Sequence, residues 1–193
     1  MRDAIDAALA ALEASPEGWP ELPERRRLRD AYGPWTPPYE PGGPDAGLLR
    51  RAALTVASAR RALPVWEREF PDDRRPHALL DAIMPGLRNE RPDDELSTMK
   101  RAFQDDVDRL GADLERARTF YAGMAAVFAV SEAWDGDLDP EIHPPGTRDL
   151  ELDDLPVEAL AAWALAGEDP EARREFWRWY VTEAFPAAYA VAE

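Results

Sequence analysis

The side chains most able to do chemistry lie close together between positions 63 and 79 of this 193-residue sequence. Glu67, Asp73 and Arg75 bring opposite charges into one short stretch, and His77 is one of only two histidines in the chain. If they were exposed together in a notch, these groups could bind a partner or transfer a proton. The stretch is therefore the first candidate for a functional site.

A structural interpretation of the same stretch is also complete, and it is the simpler one. The prolines around it predict a helix, a turn and a second helix. Asp72 or Asp73 would cap the second helix, and Arg75 would pair with Glu67 or Asp73. Trp66 would then fill the core beneath the turn. The residue types alone leave both interpretations open.

Carboxylates spaced three residues apart are a second source of chemistry, because two of them on one helix face can share a divalent cation. With this many acids in the chain, roughly eight such pairs are expected by chance, so the spacing selects none of them. Acids at helix starts also need no metal to explain them. We therefore predict neither a metal site nor a cofactor. The pairs with this spacing include Glu21 with Glu24, Asp105 with Asp108, Glu151 with Asp154, and Glu168 with Glu171.

The balance of charge limits the classes of partner. The chain has 39 Asp and Glu residues against 23 Lys and Arg, which gives a formal charge of −16. Nucleic-acid binding depends on cations that displace counterions from phosphate, so we expect no direct nucleic-acid contact, and anionic membranes are disfavoured for the same reason. The chain contains no cysteine, which excludes a thiolate nucleophile, a disulfide framework and a cysteine-bound metal.

The location follows from the same composition. Asp3 and Asp6 stand where a signal peptide would need its apolar region. No weakly charged run approaches the ~20 residues that cross a bilayer. We predict a cytoplasmic protein without membrane contact.

The apolar residues recur with helical spacing, and no stretch alternates as a strand would. This pattern predicts an all-α fold, a multi-helix bundle of about seven helices around one core. We expect a single helical domain over residues 1–193. Within it, residues 1–32 would form an N-terminal helical extension, 33–44 an ordered Pro/Gly-rich connection, and 45–193 the main bundle.

Several helix ends can be predicted individually. Asp45 is placed as an N-cap, and Pro64 would interrupt or kink the helix that follows it. The apolar seam over 96–128 predicts either one long helix or two helices with a break near Gly111. Pro186 would limit the last helix.

The 63–79 stretch also resembles a known motif. Its elements are, in order, Leu63-Pro64-Val65-Trp66-Glu67, Pro71-Asp72-Asp73 and Arg75-Pro76, followed by an Ala-rich helix. This order is similar to that of the fifth immunity-protein family of bacterial polymorphic toxin systems, and the similarity extends over residues 46–135. The resemblance implies an antitoxin inside the cell that binds and neutralises a cognate toxin.

We therefore predict an immunity protein that is not an enzyme and whose partner is a basic toxin, with nucleases as one candidate class. A nuclease must present Lys and Arg to phosphate, and an acidic inhibitor would complement that face and associate quickly. Aromatic side chains could anchor such an interface. The partner-binding candidates are Trp35, Tyr39, Trp66, Glu67, Asp72, Asp73, Arg75, His77, Trp177 and Trp179.

Two other functions stay open at this point. One is a small helical metal-dependent hydrolase that uses Glu67, Asp72, Asp73 and His77. The other is a helical bundle that holds an apolar ligand in a pocket lined by its Trp-rich C-terminus. A converging set of metal ligands would favour the first, and a flat acidic face with exposed aromatic side chains and without an enclosed cleft would favour the immunity protein.

Overall fold

A computed structural model describes residues 1–34, 44–88, 93–135 and 156–192, and these residues form helices and turns without a strand. The all-α prediction is confirmed. Counted with Pro170–Tyr189 as one continuous rod, the described residues form eight helices. In chain order the helices are α1 (Arg2–Ala14), α2 (Leu22–Asp30), α3 (Ala46–Glu69), α4 (Arg75–Leu87), α5 (Asp93–Asp108), α6 (Ala117–Asp135), α7 (Val157–Ala166), α8 (Pro170–Trp179) and α9 (Phe185–Tyr189).

Side-chain caps fix the starts of two helices. The Asp45 carboxylate accepts a hydrogen bond from the Leu48 N–H at 2.7 Å, which satisfies one of the unpaired donors in the first turn of α3. Asp169 does the same for α8, accepting from the Glu171 N–H at 2.9 Å. The cap predicted at Asp45 is confirmed.

The apolar seam predicted over 96–128 is divided into two helices. α5 ends at Asp108, and a short 3-10 turn, Leu114–Arg116, precedes α6. The break lies at Gly111, where a Cβ atom would come within 3.1 Å of the Phe120 ring. Glycine therefore allows the turn to fold closely against the start of α6, as the second of the two alternatives predicted.

Neither Pro64 nor Pro186 ends a helix. α3 continues through Pro64 to Glu69, so of the two outcomes predicted there, an interruption or a kink, the interruption is absent. Pro186 lies in the first turn of α9, immediately after a π-helical turn over Tyr180–Ala184. In that wider turn the Phe185 N–H bonds to the Tyr180 carbonyl, which changes the hydrogen-bond register just before the proline. The rod therefore continues past Pro186.

The core forms where α3 crosses α6, with α4 and α7 packed beside them. Both long helices bury alanines, among them Ala59 of α3 and Ala126 of α6. A Cβ atom at Gly123 would lie 2.9 Å from Trp66 Cζ3, so this indole packs directly on the backbone of α6. The end of α3 that carries Trp66 is thereby held firmly beneath the turn into α4.

The N-terminal helices are joined to the bundle by polar contacts as well as apolar ones. The Tyr32 hydroxyl donates to the Phe185 carbonyl at 2.9 Å, and the two rings stack with centroids 4.5 Å apart. The Arg51 guanidinium donates to the carbonyls of Arg29 and Gly33, at 3.1 and 2.7 Å. Arg51 of α3 thus ties the last turn of α2, and the residues that follow it, to the bundle.

Candidate functional site

The turn between α3 and α4 is organised around Arg75. The Asp73 carboxylate accepts from the Arg75 backbone N–H at 3.0 Å and from its guanidinium at 2.9 and 2.8 Å. These hydrogen bonds and the positive charge lower the pKa of Asp73, although partial burial opposes the shift. The predicted closure of Arg75 onto Asp73 is therefore present in the structure.

Arg75 also reaches a third helix. Its guanidinium donates to Asp106 of α5 at 2.5 Å, and its Cζ lies 5.4 Å from the centroid of the Phe103 ring. Asp106 is paired with Arg109 as well. Hydrogen bonds from Arg75 lower the pKa of Asp106. One arginine thus ties the α3–α4 turn to the end of α5.

Glu67 and His77 form a second contact across the turn. The His77 Nε2 atom lies 2.8 Å from Glu67 Oε1, and each side chain is 35% exposed. Arg74 also approaches Glu67, at 3.4 Å. These groups are paired with each other and remain accessible to solvent. We call the six acids of the α3–α4 region and of the last turn of α5 the acidic corner: Glu67, Asp72, Asp73, Asp105, Asp106 and Asp108.

The acidic corner keeps a net negative charge after its internal pairs are counted. Asp72, Asp105 and Asp108 are exposed and take part in no ion pair found among the described residues. The cations within the corner are Arg74, Arg75 and Arg109, so six carboxylates face three guanidinium groups and the formal charge is −3. The corner can therefore attract a cationic surface.

Trp66 belongs to the core. It is 2% exposed, and its ring lies 4.6 Å from that of Phe70 and 5.0 Å from that of Phe103. Its indole nitrogen makes no aligned hydrogen bond, yet it lies close enough to Asp73 to favour the ionised form of that carboxyl. Trp66 therefore supports the corner from below, as the structural interpretation of the stretch proposed.

The two C-terminal aromatic candidates, Trp177 and Trp179, belong to a different helix from the corner. Trp177 is fully buried, and Trp179 is half-buried beneath the guanidinium of Arg61, 4.8 Å from its ring centroid. Both belong to α8, which packs on α1 and α7. Trp35 and Tyr39 lie outside the described residues, as does most of the predicted 33–44 connection.

A buried ionic cluster was missed by the sequence analysis. The Arg29 guanidinium donates to Glu132 at 2.9 Å and to both oxygens of Glu158, at 2.9 and 2.8 Å. The Glu132 carboxylate also accepts hydrogen bonds from the Thr55 hydroxyl at 3.0 Å and from the Val157 N–H at 3.1 Å. The sequence signal was available, because Glu158 is the one acid in the apolar helix α7.

Two observations on the described residues bear on the alternative functions, the metal-dependent hydrolase and the bundle that binds an apolar ligand. No group of three or more acidic or histidine side chains is placed there to hold a metal ion. A depression of about 300 Å³ is open to solvent and lies beside the α5–α6 turn rather than at the Trp-rich end. Its lining residues are Val65, Arg68, Glu69, Arg118 and Thr119.

Two further results concern membrane helices and similar proteins. Among the residues that the structure describes, none of the helices combines the length and the apolar character that crossing a bilayer requires. No curated protein matches the sequence.

A comparison with family models gives the identity of the family. The model described as Immunity protein Imm5 matches residues 5–187, which is nearly the whole chain. The match covers the 63–79 motif and extends well beyond residues 46–135, over which the sequence resembles the family motif. The chain belongs to the Imm5 family of immunity proteins.

Proposed function

We propose that this protein neutralises a cognate toxin in the cytoplasm by binding a basic face of the toxin through its acidic corner. The family supports a protein that acts by binding a toxin. The observation that carries the choice of face is the set of exposed carboxylates without internal partners, Asp72, Asp105 and Asp108. A nuclease toxin fits this charge, because its active face must be cationic to hold phosphate.

The internal pairs of the corner help rather than hinder such binding. Asp73 and Asp106 are fixed by Arg75, so they lose little conformational freedom when a partner docks. Carboxylates without partners contribute the field that steers a cationic protein towards the surface. Steering acts mainly on the association rate and is weakened by salt.

The test uses the full chain and the purified product of the gene adjacent to its own. Association is followed by stopped-flow fluorescence at low and high salt, and protection is scored by co-expression in cells. The test variant combines Asp72→Asn, Asp105→Asn and Asp108→Asn. The matched control combines Asp3→Asn, Asp6→Asn and Glu183→Gln, which removes three exposed acids from other helices.

Both variants have a formal charge of −13 instead of −16, so they differ only in where charge is removed. We expect the test variant to associate about tenfold more slowly at low salt and with a weaker salt dependence, while the control stays within about twofold of the parent. Equal loss in both variants would contradict the choice of face. A parent chain that neither binds nor protects would contradict the function itself.

A further inference from the structure

The turn between α5 and α6 presents an apolar side chain to solvent. Leu114 is 89% exposed, more than any other large apolar side chain in the part of the chain that the structure describes. A single exposed leucine is ordinary, so its surroundings decide whether it has a role. We call residues 109–116, which hold it between the two helices, the anchor turn.

The anchor turn is held rigidly although its surface is exposed. The Asp113 carboxylate accepts from the Glu115 N–H at 3.0 Å. Arg116 pairs with Asp113 at 3.4 Å and with Glu69 at the end of α3, at 3.0 Å. Leu114 is thus displayed on a braced loop, so little conformational entropy is lost when a partner covers it.

A depression flanks the anchor turn on one side, and a row of aromatic side chains flanks it on the other. On one side lies the depression of about 300 Å³, which is lined in part by Val65 and Glu69. Glu69 is also the residue that pairs with Arg116 of the anchor turn. On the other side the Phe120 ring packs against Gly111. From there partly exposed rings follow one another, with centroids 5.6, 6.2 and 6.1 Å apart. They are Phe120, Tyr121, Trp163 and Trp19.

The charges around the turn indicate the chemistry of the occupant. Asp108, Asp113 and Glu115 are exposed on or beside the turn. Its two cations are engaged internally, because Arg109 pairs with Asp106 and Arg116 with Glu69. The rim is therefore acidic and continuous with the acidic corner through the end of α5.

The depression itself differs from its rim. Arg118 is held there by the carbonyls of Ala164 and Leu165, while Arg68 is exposed at its edge. A cation would be repelled from this space, so it suits an apolar side chain or a hydrogen-bond acceptor. The fitting partner surface is an apolar patch bordered by Lys and Arg.

We propose that the anchor turn is the apolar centre of the toxin-binding face, with Leu114 as its principal anchor and the acidic corner as its charged rim. This inference rests on the proposed function. Interfaces of this kind concentrate their binding energy in a few central apolar residues that a polar rim shields from water. The acidic corner then sets the association rate, and Leu114 sets the dissociation rate.

The experiment measures the dissociation constant of the purified adjacent-gene product with the full chain by surface plasmon resonance. The test variants are Leu114→Ala and Leu114→Asp. The matched controls are Val191→Ala and Val191→Asp, because Val191 is 43% exposed in the short 3-10 turn after α9. Thermal melting confirms folding, which an exposed side chain hardly affects.

We expect Leu114→Ala to raise the dissociation constant by ~30-fold, mainly through faster dissociation, and Leu114→Asp to raise it further. The Val191 variants should stay within about twofold of the parent. If both Leu114 variants bind like the parent while the acidic-corner variant loses affinity, this inference is wrong and the proposed function stands. If the parent itself does not bind the adjacent-gene product, both the proposed function and this inference are wrong.

Discussion

Replacing Arg29 by methionine tests what joins the N-terminal helices to the bundle. Arg29 is the common partner of Glu132 and Glu158, which belong to α6 and α7. All three side chains are almost wholly buried. Methionine keeps a long, helix-favouring side chain, so Arg29→Met removes the cation with little effect on the propensity of α2.

The expected loss is large because the two carboxylates stay buried without their partner. Removing one member of a buried ion pair costs about 3–5 kcal/mol of unfolding free energy. In a protein of this size each kcal/mol lowers Tm by ~2–4 °C, so Tm should fall by roughly 6–20 °C. An exposed pair would cost less than about 1 kcal/mol.

The loss should also depend on pH. Burial raises the pKa of Glu132 above its ordinary value of 4.5, Arg29 opposes the shift, and the repulsion of Glu158 adds to it. Without Arg29 the pKa of Glu132 rises further. A carboxyl with a raised folded pKa favours folding below its unfolded pKa and loses that contribution as pH rises through the folded value, at up to ~1.4 kcal/mol per pH unit.

The assay is urea unfolding followed by circular dichroism at pH 5 and pH 7.5. The Arg29→Met penalty should be clearly smaller at pH 5. The control is Arg27→Met on the same helix, since Arg27 is 62% exposed and pairs with Glu24 at 3.3 Å at the surface. It should change the unfolding free energy by less than about 0.5 kcal/mol. A penalty below ~1 kcal/mol, or one equal at both pH values, would refute a buried ionic cluster.

Two further predictions concern the corner and the core. Asp73→Asn should lower Tm more at pH 7 than at pH 3, as measured by calorimetry. The pKa of Asp73 is lowered in the folded protein, so its ionised form stabilises the fold at pH values above its ordinary pKa of 3.8, and that contribution is lost as the pH falls. Equal losses of Tm at the two pH values would contradict the Arg75 pairing. Gly123→Ala should cost about 1–3 kcal/mol in urea unfolding, because its Cβ would lie 2.8 Å from Val107 Cγ2; an unchanged midpoint would show looser packing.

The features predicted correctly are those that depend on neighbours in sequence. The cap at Asp45 bonds to Leu48, and Arg75 closes onto Asp73 two residues away. Both contacts are set by residue type and by the geometry of a helix start. The outcome at Pro64 could not be seen in the same way, because continuing a helix past a proline depends on the tertiary packing around it.

The missed contacts are separated widely in sequence. Arg29 meets Glu132 and Glu158 across 103 and 129 positions, so three helices must be placed before the cluster exists. Asp106 is 31 positions from Arg75. Local sequence patterns can single out Glu158 as the acid in the apolar helix α7, but they cannot identify Arg29 as its partner. For the same reason the acidic corner could be predicted only in its α3–α4 half.

The structural and the binding interpretations of the corner apply to different residues of it. Asp73 and Asp106 both bind Arg75, so their charges are largely neutralised by the contact that joins the turn to α5. Asp72, Asp105 and Asp108 have no such pair among the described residues and keep their charge for a partner. Substituting the first two should therefore lower stability, and substituting the other three should slow association without lowering stability. A corner used only for folding would show no such separation.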